Sequence, residues 1–192
     1  MSQRVIAGSA KGRRLKMVPG DSTRAILDRV KESLFNILGS WVVDSIWLDL
    51  FAGTGAVGIE ALSRGADYCL FIDLNKAAIR TIQDNLASTH LDEGAEVLQI
   101  SAFDFLRRTP GEDDPFEFIY IAPPQYKGWW RSALELIDEQ PDWLFPEGQV
   151  IVQIDPREYE DVNLKHLDLY DQRVYGKTML CFYERRSEED ES

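Results

Sequence analysis

The sequence predicts an α/β fold with a mainly parallel sheet covered by helices on both faces. It also predicts an antiparallel hairpin at the C-terminal edge and a β-hairpin and helix at the N-terminus. Three observations carry this. From residue 45 onward, short strand-like runs alternate with segments of helical period, as in parallel sheets whose crossovers are helices. The last two strand-like runs follow one another with no helix between them. At 192 residues the chain has room for one domain and a small appendage, at about 150 residues per domain.

The elements follow in order. Arg4–Gly8 and Arg13–Val18 read as short strands around a Ser9–Gly12 turn, closed by Pro19 and Gly20. Residues 24–38 read as a helix whose Leu27, Val30, Leu34, Ile37 and Leu38 make one apolar stripe. Asp21, Ser22 or Thr23 offers its cap and Gly39 its stop. The alternation then runs strand Ser45–Phe51, helix Gly55–Ser63, strand Tyr68–Asp73, helix Lys76–Ser88 and strand Ala95–Ile100. It continues with a short helix at Ala102–Arg108, an acidic loop at Thr109–Pro115, strand Phe116–Ile121, helix Trp130–Glu139 and strand Gln149–Asp155. Leu167–Tyr170 and Lys177–Tyr183 form the closing hairpin. The acidic tail, Ser187–Ser192, is expected to be disordered.

Composition narrows the function. No apolar run approaches the roughly 20 residues of a membrane span, and the basic, broken N-terminus does not read as a signal peptide, so a cytoplasmic protein with no membrane partner is expected. Cys69 and Cys181 match no metal spacing and read as reduced core residues. His90 and His166 are isolated and read as structural or surface residues. The net charge of −12 argues against a polyanion partner, but it is unevenly spread. Residues 1–40 carry eight bases against three acids, a balance of +5, which leaves −17 on the rest. Such asymmetry fits a polyanion-binding arm, or a solvated basic hairpin without a partner.

The most informative segment is Leu48-Asp49-Leu50-Phe51-Ala52-Gly53-Thr54-Gly55-Ala56-Val57-Gly58. Gly53, Gly55 and Gly58 fit G-x-G-x-x-G between a strand and a helix, and Asp73 ends the next strand 20 residues after Gly53. Glycines let the backbone turn sharply beside a nucleotide, and an acid at that strand end suits a ribose diol. A pyrophosphate wants the helix N-terminus clear of negative charge, whereas Asp49 stands four residues before Gly53. A cofactor with cationic parts suits that carboxylate better. S-adenosylmethionine is therefore the expected cofactor, with a nicotinamide dinucleotide as the alternative.

A second segment, Phe118-Ile119-Tyr120-Ile121-Ala122-Pro123-Pro124-Gln125-Tyr126, ends a strand in two prolines. Prolines fix an extended backbone and leave carbonyls unpaired at the strand's C-terminal edge, where open α/β sheets bind ligands. Taken with the rest of the chain, these residues carry a resemblance. Arg4-Val5-Ile6-Ala7-Gly8, Lys11-Gly12-Arg13-Arg14-Leu15, Thr23-Arg24, Asp28–Leu38, Asp49–Gly55, Gly58–Gly65 and Tyr175-Gly176 resemble, in order, the bacterial small-subunit ribosomal RNA guanine-N2 methyltransferases (the RsmD family) over about residues 3–185.

The resemblance implies a Rossmann-like class I methyltransferase at 41–186, an RNA-binding extension at 1–40 and a tail at 187–192. It implies methyl transfer from S-adenosylmethionine to the exocyclic N2 of a flipped guanine in 16S ribosomal RNA, by a monomer acting on free RNA or the assembling 30S particle. Cofactor contacts are expected from Asp49, Phe51, Gly53, Gly55, Asp73, Ser101 and Ala102. Catalytic contacts are expected from Ala122, Pro123, Pro124, Gln125 and Tyr126, with Trp129 and Trp130 as further stacking candidates. Phosphate contacts are expected from Arg4, Lys11, Arg13, Arg14, Arg24 and Arg29. The chain departs from the family at Ala122 (usually Asp or Asn), Gln125 (usually aromatic), Ser101 (usually Asp or Asn, with Asp104 nearby) and Ala25 (usually Pro). These departures leave two alternatives: a non-catalytic RNA-binding assembly factor, or a methyltransferase for another nucleic-acid amine.

Overall fold

A computed structural model describes residues 3–20 and 25–187, which fall into two compact units, residues 3–101 and 102–187. In the first unit, β1 (Gln3–Arg4) and β2 (Arg14–Leu15) form the N-terminal hairpin. They are shorter than the expected strands, because the chain between them turns at Gly8 and Gly12 and pairs only through bonds such as Val5 N–H to Arg13 O. Helix α1 spans Asp28–Leu38 rather than 24–38 and starts from Leu27 with no side-chain cap. The cap candidates Asp21, Ser22 and Thr23, and Arg24 with them, lie outside the described residues. The stripe is also corrected: Lys31 and Phe35 are buried with Val30, Leu34 and Leu38, while Ile37 is exposed.

Three parallel strands follow, β3 (Ile46–Leu50), β4 (Tyr68–Asp73) and β5 (Ala95–Gln99), in the order β5-β4-β3. Helix α2 (Ala56–Ser63) links β3 to β4, and α3 (Lys76–Thr89) links β4 to β5. Every residue of α2 is buried. One reason is Gly58, where a Cβ would sit 2.4 Å from the Phe71 ring and 2.6 Å from Cys69 Sγ. Only a glycine lets the helix lie that close to β4. Asn75 caps α3 by accepting from the Ala77 N–H, and His90 closes it in the left-handed region at φ +57°.

The second unit contains α4 (Ala102–Leu106), β6 (Phe116–Ile121), α5 (Trp129–Glu139), β7 (Leu144–Ile154), β8 (Leu167–Tyr175) and β9 (Thr178–Arg185). Here β7 is parallel to β6 and antiparallel to β9, which pairs antiparallel with β8. The mainly parallel sheet with an antiparallel C-terminal edge is thus as expected. β7 begins five residues earlier than expected, because Leu144 pairs with Phe116 before a register shift that carries the chain to Gln149. β8 is also longer than its apolar run. It is an edge strand, and Asp171 and Arg173 pair with each other there at 2.9 Å. Cys69 and Cys181 are free and buried. Among the described residues no helix is long and apolar enough to cross a membrane.

Candidate cofactor cluster and proline loop

The glycine loop leaves β3 through Phe51, Gly53 and Gly55, all at positive φ (58°, 58° and 78°). A Cβ on Gly53 would meet nothing within 4 Å, so the bare backbone there borders open space. Three of the loop's amides have partners in β4 or in the loop itself. Ala52 N–H donates to Ile72 O (2.9 Å), Gly53 N–H to Asp73 Oδ2 (2.9 Å) and Gly55 N–H to Ala52 O (2.8 Å). Gly58 N–H, in the first turn of α2, donates to Asp49 Oδ2 at 3.3 Å. A phosphate-binding loop points such amides at its ligand. This one instead sets two carboxylates beside a helix N-terminus.

The two acids differ. Asp49 is buried, and burial, with the Asp73 charge added, pushes its carboxyl well above the usual carboxylate range against the pull of the Gly58 amide. Asp73 is half-buried at the end of β4, and its Oδ1 also accepts the Asn75 N–H at 2.8 Å. The set of open backbone, a ribose-competent carboxylate and a buried acid lacking a cation fits S-adenosylmethionine, with its diol, amino group and sulfonium. It does not fit a dinucleotide pyrophosphate. Ser101 is half-buried just after β5. Ala102 is the buried first residue of α4, and Asp104 sits on that helix's exposed face paired with Arg107 at 3.4 Å.

The N-terminal arm is bonded to α2. Glu60 of α2, fully buried, accepts the Ile6 and Ala7 N–H groups at 2.9 and 3.1 Å. It also pairs with Lys31 Nζ at 3.3 Å and Arg64 Nε at 2.8 Å. Ser63 Oγ donates to Ala7 O and accepts from Ala10 N–H. Lys31 is therefore an internal counter-ion rather than part of the basic surface, and burial holds its ammonium below the usual lysine value. Of the expected phosphate contacts, Lys11, Arg13, Arg14 and Arg29 are exposed and make no ion pair among the described residues. Arg4 is exposed and paired with Asp28 at 3.4 Å.

In the second unit the proline loop leaves β6. Ala122, Pro123, Pro124 and Gln125 are half-buried, and Tyr126 is exposed with φ +60°. Its neighbours divide the stacking candidates. Trp130 is buried and stacked on Tyr159 at 6.4 Å, so it is core. Trp129 is half-buried, edge-on to Phe103 at 5.8 Å and beneath Lys127 Nζ at 4.8 Å. Tyr126 is the exposed ring of the three.

Sequence reasoning missed two supporting groups. One is Gln3, Thr54 and Asn85, which ties the arm to the glycine loop. The other is the Asp155–Glu158 turn, which grips Tyr126. The second was readable as an Asp-Pro-Arg-Glu capping box. The first has no local signal.

The sequence profile of the family described as conserved hypothetical protein 95 matches residues 3–184. Ribosomal RNA small subunit methyltransferase D of Haemophilus influenzae is 36% identical over 151 residues, covering 78% of this chain and 77% of that one. The protein of the same name from Escherichia coli K12 is 30% identical over 185 residues, covering 96% and 91%. The solved structure of Escherichia coli yhhF has a TM-score of 0.85 at 31% identity, covering 97% of this chain and 99% of that one. At 13% identity the fold alone is shared with an RNA methyltransferase from Salinibacter ruber solved with S-adenosyl-L-homocysteine (TM-score 0.65, 86% and 95% coverage). The Rossmann-like methyltransferase fold is thereby established, and the chain belongs to this conserved family, the RsmD family of ribosomal RNA small-subunit methyltransferases.

Proposed function

We propose that the protein transfers a methyl group from S-adenosylmethionine to the exocyclic N2 of a guanine in small-subunit ribosomal RNA, acting as a monomer on a base flipped from its stack. The observation that carries this is the glycine loop, where the Gly53 and Gly58 amides are taken by the carboxylates of Asp73 and Asp49. Family membership supplies the RNA. Asp49, Phe51, Gly53, Gly55, Asp73, Ser101 and Ala102 would hold the cofactor, which supplies an electrophilic methyl on a sulfonium. Asp73 accepts ribose hydroxyls, and Asp49 answers positive charge.

The chain's own contribution at the substrate is positioning. A guanine N2 is a poor nucleophile because its lone pair is delocalised. The protein must accept its N–H hydrogens and hold it in line with the methyl. Ala122 has no side-chain acceptor, so the carbonyls of Ala122 and Pro123, with the Gln125 amide oxygen, take that role, and Tyr126 stacks on the base. With the cofactor bound as methyl donor, the proton displaced from N2 would leave through these acceptors to water. Loss of a catalytic acceptor typically costs about 10²–10³ in rate, so a slow enzyme is expected. Exposed Lys11, Arg13, Arg14 and Arg29, with Arg4 and Arg24, hold phosphates.

The test incubates the protein with labelled cofactor and either naked small-subunit RNA or assembled small subunits, then maps the modified base. An N2-methylguanine in either substrate supports the reading. A methyl on another amine would replace it with a different target. Cofactor binding without transfer would favour the RNA-binding assembly factor, the reading that Ala122 supports. Gln125→Ala and Tyr126→Ala should each slow single-turnover transfer; if neither does, the acceptor and stacking roles are wrong.

A further inference from the structure

The ring of Tyr126 is held from outside the proline loop by a prebuilt turn. Asp155 caps a one-turn 3-10 segment (Pro156–Glu158), accepting the Arg157 N–H at 3.0 Å, while Glu158 Oε2 accepts the Asp155 N–H at 3.3 Å. From this frame the remaining acceptors reach the loop. Glu158 Oε1 takes the Tyr126 N–H at 2.7 Å, and Asp155 Oδ2 takes the Tyr126 hydroxyl at 2.7 Å. Arg157 closes the group: Nε donates to Asp155 Oδ1 at 3.1 Å, and Nη2 donates to Asp155 Oδ2 at 2.9 Å and to the Tyr126 hydroxyl. Its guanidinium carbon lies 5.5 Å from the centre of the Tyr126 ring.

Burial separates the holders from the held. Asp155 is 1% exposed, whereas Tyr126 is 57% exposed and the Arg157 side chain 72% exposed. A long, exposed side chain with this many fixed contacts has given up rotamer freedom, and what it presents outward is preorganised. Arg157 Nη1 has no hydrogen-bond partner among the described residues. An aromatic face and a guanidinium edge at fixed separation match the two halves of a nucleotide, a base to stack and a phosphate to bind.

We infer that Tyr126 and Arg157 form a two-part receptor for one nucleotide of the RNA substrate, the ring stacking on a base and Nη1 taking a backbone phosphate, with Asp155 and Glu158 as positioning residues. This deepens the function proposed above and rests on it for the identity of the RNA. The turn at 155–158 supplies the grip that orients the ring.

The test measures binding of a small-subunit ribosomal RNA transcript against salt for the wild type, Arg157→Ala, Arg157→Gln, Arg157→Lys and Tyr126→Phe. Cofactor affinity, read separately by calorimetry, reports that each variant is folded. Removing one phosphate contact should make the slope of log K against log salt shallower by about 0.7 for single-stranded RNA, so Arg157→Ala and Arg157→Gln should both show that change. Arg157→Lys and Tyr126→Phe should keep the wild-type slope but slow single-turnover transfer, because each breaks the grip on the ring while leaving the charge. Slopes of Arg157→Ala and Arg157→Gln equal to wild type, or a wild type that binds no RNA, would overturn the receptor. A changed slope without an N2-methylguanine product would overturn the function proposed above and leave the receptor standing. The product with unchanged slopes would do the reverse.

Discussion

Thr54 Oγ1 donates a hydrogen bond of 2.7 Å to Gln3 Oε1, joining the second residue of the Gly-Thr-Gly loop to the first strand of the N-terminal arm. Gln3, itself buried, donates on to Ile26 O at 3.1 Å. Asn85 of α3 completes the group, donating to Thr54 O at 2.9 Å and to Lys16 O at 3.1 Å. Gln3→Leu leaves the Thr54 hydroxyl and the Ile26 carbonyl short of a buried partner, which typically costs about 1–3 kcal/mol. The expected outcome is lower stability by denaturant titration together with weaker cofactor binding by calorimetry. Thr54→Val should reproduce both. Unchanged cofactor affinity in both variants would show that the arm does not brace the loop.

Glu60 is the larger structural commitment. It answers two backbone N–H groups and two cations from a fully buried position. Glu60→Ala leaves the Lys31 ammonium with the Arg4 carbonyl at 2.6 Å but without its paired carboxylate, and breaking a buried pair in this way costs about 3–5 kcal/mol. Lys31→Met should cost less, because Arg64 and the two amides still satisfy the carboxylate. Equilibrium unfolding of the two variants gives the order, and the reverse order would contradict this account.

The raised carboxyl of Asp49 predicts a proton-linked cofactor affinity. An acid whose carboxyl is pushed up by burial becomes a better partner for a cation once it loses its proton. Cofactor affinity should therefore rise with pH from the ordinary carboxylate range, about 4, up to the raised value. Binding inside that window should release a proton, countable by calorimetry in buffers of different ionisation enthalpy. Asp49→Asn should abolish the release and weaken binding about tenfold or more, given the 1.5–3 kcal/mol of a typical hydrogen bond to a charged group. The sign for stability is opposite. The folded state holds the proton more tightly than the unfolded state, so this group's contribution falls as pH rises through the same window. The ligand-free Asn variant should then melt at or above wild type at neutral pH. Equal proton counts for wild type and variant would remove Asp49 from the cofactor site.

RNA binding should be steeply salt-dependent, with Arg13→Ala and Arg14→Ala each making the slope shallower by about 0.7–0.9. Lys31→Met is the matched control. It removes a charge from the same segment, but one that is buried, and should leave the slope unchanged. A flat wild-type response would end the case for the arm as the phosphate-binding surface.

These contrasts show what the sequence could reveal. Asp73, 20 residues past Gly53, stands out through a spacing set by strand and helix lengths, and the fold places its carboxylate on the Gly53 amide. The parallel strands were legible through their alternation with helices. Lys31 was not, because charge counting treats every lysine as surface, although its position four residues after Leu27 and three before Leu34 lies on the buried face of α1. The Gln3–Thr54 bond spans 51 residues and leaves no trace in local pattern. Tyr126 was picked out as a stacking residue, but its anchors lie about 30 residues onward and emerge only when β7 is laid beside β6.

Gly8 carries a last consequence. A side chain there would place its first carbon 1.7 Å from the Ser63 carbonyl oxygen, the same oxygen that accepts the Ser9 N–H at 2.8 Å. At this point main chain rests on main chain, and the Glu60 and Ser63 side chains of α2 bond the hairpin backbone on either side of it. The backbone that carries Arg13 and Arg14 is tied in this way to the helix that follows the glycine loop, and the spacing of the two is set when the chain folds. On the function proposed above, the hairpin acts as a fixed gauge that presents its phosphate contacts at a preset distance, so discrimination falls on the geometry of the RNA instead of on closure of the protein around it.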